Sequence, residues 1–333
     1  MVACFRKFFS VEQAAPRIVG AGSERVDAVN SHSAHDLVTL RAGDTQLDLA
    51  PAIGGAVARF RWRDVDLFRP ATAAAISCGD VLGMASFSLV PFAGRIRRGR
   101  FWFADHDVRL PVNLAGEPDA IHGHGWQAPW SIVDRSESAA TLRFEYPGED
   151  WPWPYRAEQT FTLADGDLTH GLSVVNRSRS PMPAGLGLHP FFPRPSGTRL
   201  SAHIDGVFLS PERPAVSPPP LWDWRLDPVV DAFVDHQFEG WNGEARVSWP
   251  SHGLALTLST RPTTRRLVVY APAGGTYFCV EPVSHQLDGV NRSPGGSAHG
   301  MVLLASGETL AITARFSVGP DLTLADSRLK GQR

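Results

Sequence analysis

YRAEQTFTLADGDLTHGLSVV, residues 155–175, alternates apolar and polar side chains with a period of two. In an extended chain Tyr155, Ala157, Phe161 and Leu163 fall on one side, and Arg156, Glu158, Thr160 and Thr162 on the other. Asp165-Gly166 offers a two-residue turn between two such runs, so the stretch reads as an antiparallel hairpin with one buried face. The same alternation recurs in TLRFEY (141–146), LALTLST (254–260), LVVYAP (267–272), TYFCVEP (276–282) and LAITARFSV (310–318). No segment carries a long amphipathic helical pattern. With 31 glycines and 27 prolines punctuating short strands, the pattern predicts an all-β chain folded as one large antiparallel β-sandwich. The strand pattern spans residues 36–325 as a single domain. Residues 1–35 and 326–333 read as poorly ordered ends, and SPERPAVSPPP (210–220) as a long surface loop.

Composition narrows the classes of function. Against 34 Asp and Glu stand 32 Lys and Arg in 333 residues, a formal charge of −2, so there is no basic excess to neutralise phosphates or an anionic membrane. Neither nucleic acid nor membrane is an expected partner. Cys4, Cys78 and Cys279 are too few and too scattered for a disulfide framework or a zinc knuckle, and they fit a reducing cytoplasm. The opening MVACFRKFFSVEQAAPR has too short an apolar stretch for a signal peptide. There is no G-x-S-x-G elbow and no phosphate-binding glycine loop, and GLGLHP (185–190) lacks the third glycine of a dinucleotide fingerprint. No cofactor is expected.

What remains is a set of histidines and acids near strand ends. In GLGLHPFF (185–192), Gly185, Gly187 and His189 share one face of a strand while Leu186 and Leu188 anchor the other. A strand face stripped of side chains up to an imidazole suits a flat molecule lying against it. Read alone, the stretch is equally an ordinary core histidine in a glycine-rich sheet. In TYFCVEP, Glu281 shares a face with Cys279 and Tyr277, and Pro282 follows. IHGHGW (121–126) adds His122, His124 and Trp126, and PFAGRIRRGRF (91–101) adds Arg95. Seven of the ten tryptophans lie between 126 and 241, several beside these polar residues, as a sugar-binding surface requires. His122 and His124, at i and i+2, would combine with His189 and Glu281 as a cupin-like metal set. The carboxylate such a set needs just after the second histidine is missing, since that region reads GWQAPW, and no metal is expected.

At these positions the sequence resembles the aldose 1-epimerase (mutarotase) family. PAIGGAVARFRWRDVDLFRP (51–70) is similar to its early glycine-bearing strand pair, and FAGRI (92–96) to its N-R-I segment. IHGHGW, GLGLHPFF, WDWR (222–225) and CVEPVSHQLDGVN (279–291) follow in the family's order. The resemblance implies a galactose mutarotase-like supersandwich and a reaction that interconverts the α and β anomers of a free aldose by ring opening and closure. It implies Glu281 as general base on the C1 hydroxyl, His189 as general acid towards the ring oxygen, and His122 beside His189 on that oxygen. Arg95 and Asp223 would grip other hydroxyls, with Asp235 a second choice for the acid, and Trp126 and His124 complete the expected substrate contacts. Gly94 stands where the family usually has asparagine, which would widen the pocket and change the choice of sugar. Two alternatives stay open: a hexose-6-phosphate mutarotase using Arg97 or Arg98, and a sugar-binding protein without catalysis. Which sugar is bound, and the oligomeric state, are not written in the sequence.

Overall fold

The computed structural model describes residues 36–104, 106–208, 221–226 as backbone, 233–262, 264–292 and 301–321. The two expected ends and the proline-rich loop at 210–220 lie outside the described residues. Two large antiparallel sheets dominate. The first runs Val38–Ala42, Thr45–Ala50, Ala56–Trp62, Ser86–Leu89, Gly187–Pro193, Tyr277–Val283, Arg266–Ala271, Val234–Glu239, Gly206–Phe208, with the short Val65–Asp66 paired beside Ala56–Trp62. The second runs Ser131–Arg135, Ala139–Tyr146, Tyr155–Ala164, Asp167–Asn176, Thr309–Pro320, Leu254–Arg261, Glu244–Trp249, Thr198–His203, Leu221–Leu226. The hairpin at 155–175 closes with Ala164 opposite Asp167. Gly166 takes a φ of 76°, which a glycine adopts without a side-chain clash. Its turn is docked on the first sheet, where Asp165 accepts hydrogen bonds from the Asp44 N–H and Trp62 Nε1, and Thr45 Oγ1 accepts one from the Gly166 N–H.

Period-two burial does the rest. Along Tyr155–Ala164 every alternate residue is buried, so one side of the second sheet is sealed and the other faces solvent. Between the sheets the Phe68 ring meets Phe60 and Phe192 of the first sheet and Phe316 of the second edge-on, with centroids 5.0 to 5.3 Å apart. Edge-to-face contacts at these distances are the favoured aromatic geometry. Phe68→Ala therefore removes a ring that touches both sheets and is 1% exposed. It is expected to cost about 3–5 kcal/mol, read as a lowered midpoint of urea unfolding.

Polar groups also cross the core. Ser88 donates to Gln159 Oε1 at 2.7 Å, His170 Nε2 meets the same oxygen at 3.0 Å, and the Gln159 amide donates to the Gly55 carbonyl. Helix is confined to short segments such as Ala73–Cys78, and no helix among the described residues is long and apolar enough to cross a membrane. Cys279 is free and buried.

Candidate active site

The site is built by register. In the first sheet Phe87 pairs with His189, Glu281 with Val268, Val268 with Gln237, and Gln237 with Phe208. Gly187 pairs with Val283 and Phe191 with Cys279, which sets His189 opposite Glu281. One row across five strand boundaries thus carries Phe87, His189, Glu281, Val268, Gln237 and Phe208, and all six line one cavity of about 440 Å³. That volume lies within the range of roughly 300–1,000 Å³ usual for small-molecule sites. Leu186 and Leu188 of the same stretch are fully buried on the opposite face, in the core.

His189 Nε2 lies 3.3 Å from Glu281 Oε1. The imidazole packs against both Phe87 and Phe191, with centroids 4.6 and 4.7 Å away, and those two rings lie 5.9 Å from each other. Burial pulls the His189 imidazole down to about 3. Burial, reinforced by Asp235 and opposed by Arg95, pushes the Glu281 carboxyl well above the usual carboxylate range. Both shifts favour uncharged forms, as expected for groups withdrawn from water.

His122 stands at right angles to His189, ring centroids 5.3 Å apart. It follows the short strand Ala120–Ile121 in a left-handed conformation, φ 62°, held by a reciprocal pair of bonds with Gly94. The His122 N–H donates to the Gly94 carbonyl at 2.9 Å, and the Gly94 N–H donates to His122 Nδ1 at 3.1 Å. Nδ1 is therefore the acceptor, and the ring proton sits on Nε2. Burial, then His189 and Arg95, hold this imidazole well below its usual value, so it remains neutral.

Arg95 bridges two acids. Its Nε and Nη2 donate to the Glu117 carboxylate at 2.9 and 3.0 Å, and Nη1 donates to Asp235 at 3.4 Å. The bidentate Glu117 contact raises Arg95 and lowers Glu117. Asp235, on Val234–Glu239, lines the cavity. Asp223 instead falls on Leu221–Leu226 at the edge of the second sheet, opposite Ser201, and its side chain lies outside the described residues. Among the described residues, the acids that meet Arg95 are Glu117 and Asp235.

Trp126 lines the cavity, stacked 5.4 Å from Phe87, and its Nε1 donates to the carbonyls of Ile121 and Gly123. The other tryptophans expected near the site, Trp130, Trp151, Trp153 and Trp241, are buried in the core. His124 is not among the cavity-lining residues. Its Nε2 meets Asp150 at 2.8 Å, its Nδ1 meets the Tyr155 hydroxyl at 3.3 Å, and its ring stacks on Tyr146. His122 and His124 therefore diverge, and a cupin-like set does not assemble. Gly94 lines the cavity with a φ of 70°, and a Cβ there would come within 2.8 Å of Leu287 Cδ1.

Several lining groups carried no signal in the sequence. His285 is fully engaged, accepting from the Ala93 N–H at Nε2 and meeting the Gln286 carbonyl at Nδ1. Gln237 donates to the His285 carbonyl and accepts from the Leu287 N–H, so its amide braces the segment after Glu281. Glu117 has no pattern around it; only the Arg95 contact identifies it. Phe87 was accessible in principle, because SFSL (86–89) alternates serine with apolar residues.

Residues 36–317 match the aldose 1-epimerase family profile. The chain is 32% identical over 287 residues to the uncharacterized protein YphB of Escherichia coli (strain K12), covering 82% of this chain and 95% of that protein. A crystal structure from Escherichia coli K12, provisionally named an aldose 1-epimerase, superposes with a TM-score of 0.77 at 29% identity, covering 86% of this chain and 99% of that one. Galactose 1-epimerase from Lactobacillus acidophilus NCFM shares the fold, with a TM-score of 0.68 at 16% identity over 85% of this chain and 94% of that one. The chain belongs to the aldose 1-epimerase family.

Proposed function

We propose that the protein is a mutarotase for a free, uncharged aldose, with Glu281 and His189 as its acid-base pair. The observation that carries this reading is the 3.3 Å His189–Glu281 contact at the floor of a cavity with an aromatic wall. Ring opening needs one proton taken from the C1 hydroxyl and one given to the ring oxygen as the C1–O5 bond breaks. The pair's one proton first crosses the 3.3 Å contact from Glu281 to His189; Glu281, as carboxylate, then takes the first, and His189, as imidazolium, gives the second. The open-chain aldehyde turns about C1–C2, and the same two protons return as the bond re-forms on the other face. The pair's proton count is unchanged over the cycle, so no external acid or base is consumed. His122, with its proton on Nε2, is a neutral donor suited to the ring oxygen. Asp235 and Arg95 are suited to sugar hydroxyls.

Charge favours a neutral sugar over a phosphorylated one. Among the described lining residues, Glu117 and Asp235 face one guanidinium, that of Arg95, which already holds both. Arg97 and Arg98 are exposed and are not among the described lining residues. Freshly dissolved α-D-glucose, α-D-galactose and α-D-glucose 6-phosphate, followed by optical rotation, test the reading. Faster relaxation of a neutral sugar than of the phosphate supports it, and acceleration of the phosphate alone overturns the substrate assignment.

The pair must hold one proton to work, so activity falls when it gains a second or loses its only one. His189 is depressed to about 3, which moves the acid limb down, and Glu281 is raised, which moves the alkaline limb up. The expected profile of kcat/KM is a plateau through neutrality, broader than ordinary groups would give, with limbs belonging to the pair. A narrow bell centred between pH 4 and 6.5 would show that burial does not govern the pair.

A further inference from the structure

We propose that His189, Cys279 and Glu281 form a binding site for a soft divalent cation such as Zn²⁺, and that filling it switches the acid-base pair off. The binding claim stands on geometry alone; the switching claim rests on the mutarotase reading. A ligand atom from each of the three lies within 4.8 Å of the others, and all three residues are buried. Strand geometry holds them there. Cys279 and Glu281 occupy positions i and i+2 on one face of Tyr277–Val283, and His189 stands opposite Glu281 on Gly187–Pro193. Rigid neighbouring strands make a steadier cage than loops do.

The donor set is selective. Imidazole nitrogen, thiolate sulfur and carboxylate oxygen are the ligand types of zinc, and three protein ligands leave a fourth position for water or substrate. A thiolate is a poor partner for magnesium or calcium, which prefer oxygen. Cys279 is the ingredient that acid-base chemistry does not use: it is free and 0% exposed. His189 Nδ1 is a buried nitrogen with no hydrogen-bond partner.

The charge balance is favourable. Cys279 binds such a cation as thiolate and Glu281 as carboxylate, so each gives up one proton on binding. One dication enters as those two protons leave to solvent, so the net charge of the pocket is unchanged. Arg69 and Arg95, the cations that act on these groups, meet no added charge. With the cation bound, the Glu281 lone pairs and a His189 nitrogen are engaged in metal bonds, and neither can move a sugar proton.

The test uses the full chain, stripped with EDTA and then freed of it. Titration with Cd²⁺ is expected to give an ultraviolet sulfur-to-metal charge-transfer band in the wild type that is lost in Cys279→Ser and Cys279→Ala. This readout needs no sugar turnover. In the rotation assay Zn²⁺ is expected to inhibit reversibly, and Cys279→Ser to keep its activity while needing at least about tenfold more Zn²⁺ for half-inhibition. No band in the folded wild type, or a band that persists in both variants, overturns the site. Equal Zn²⁺ inhibition in wild type and Cys279→Ser overturns the switch. A Cd²⁺ band at Cys279 in a protein that accelerates no sugar leaves the site standing and removes the mutarotase reading instead.

Discussion

Glu281→Gln is expected to lose turnover by roughly a hundred- to ten-thousandfold, the usual worth of a general base, while becoming more stable than the wild type at pH 8. The first effect follows from removing the group proposed to take the C1 proton. The second follows from burial. In the unfolded chain Glu281 ionises at about pH 4.3, whereas in the folded protein its carboxyl is held protonated to a much higher pH. Between those two values the folded state binds the extra proton, so stability falls as pH rises. Glutamine keeps the shape and removes that loss. The stability gain should be present at pH 8 and shrink towards zero near pH 4, read as the difference in thermal midpoints. A gain independent of pH would mean that the carboxyl ionises at the same pH in the folded protein as in the unfolded chain.

His189→Asn is expected to reduce turnover by a similar roughly hundred- to ten-thousandfold, with the opposite pH signature in stability. An unfolded histidine takes its proton near pH 6.5, but burial delays this in the folded protein to about 3. The unfolded state therefore binds the extra proton in that window, and stability falls as pH drops. Asparagine removes the penalty on the acid side. It also forfeits the stacking on Phe87 and Phe191, a constant cost that the change with pH leaves aside. Opposite pH signatures in the two variants, with turnover lost in both, are hard to obtain from general damage to the fold. Identical signatures would contradict the proton arrangement.

The strands at 155–175 and the two-faced stretch at 185–192 were legible because period-two alternation is local: each residue's face follows from its neighbours. The same rule misled at His122 and His124. Their i, i+2 spacing implies a shared face only in an extended chain, and the left-handed φ values of His122 and Gly123 turn the two rings apart. His124 consequently joins Asp150, Tyr146 and Tyr155, tying its loop to the second sheet. That Asp235 lines the cavity while Asp223 falls on a strand of the second sheet was beyond local reading, because it depends on which sheet each strand joins. The contact between His189 and Glu281 is likewise a product of register, which the two motifs separately did not contain.

The most direct measurement is exchange NMR on an equilibrated aldose in the presence of EDTA, following magnetisation transfer between the α and β anomeric protons. A mutarotase working through this pair gives exchange cross-peaks with wild-type protein that disappear with either Glu281→Gln or His189→Asn. Cross-peaks that persist undiminished in both variants, or a wild-type protein that binds the sugar and exchanges nothing, would contradict it.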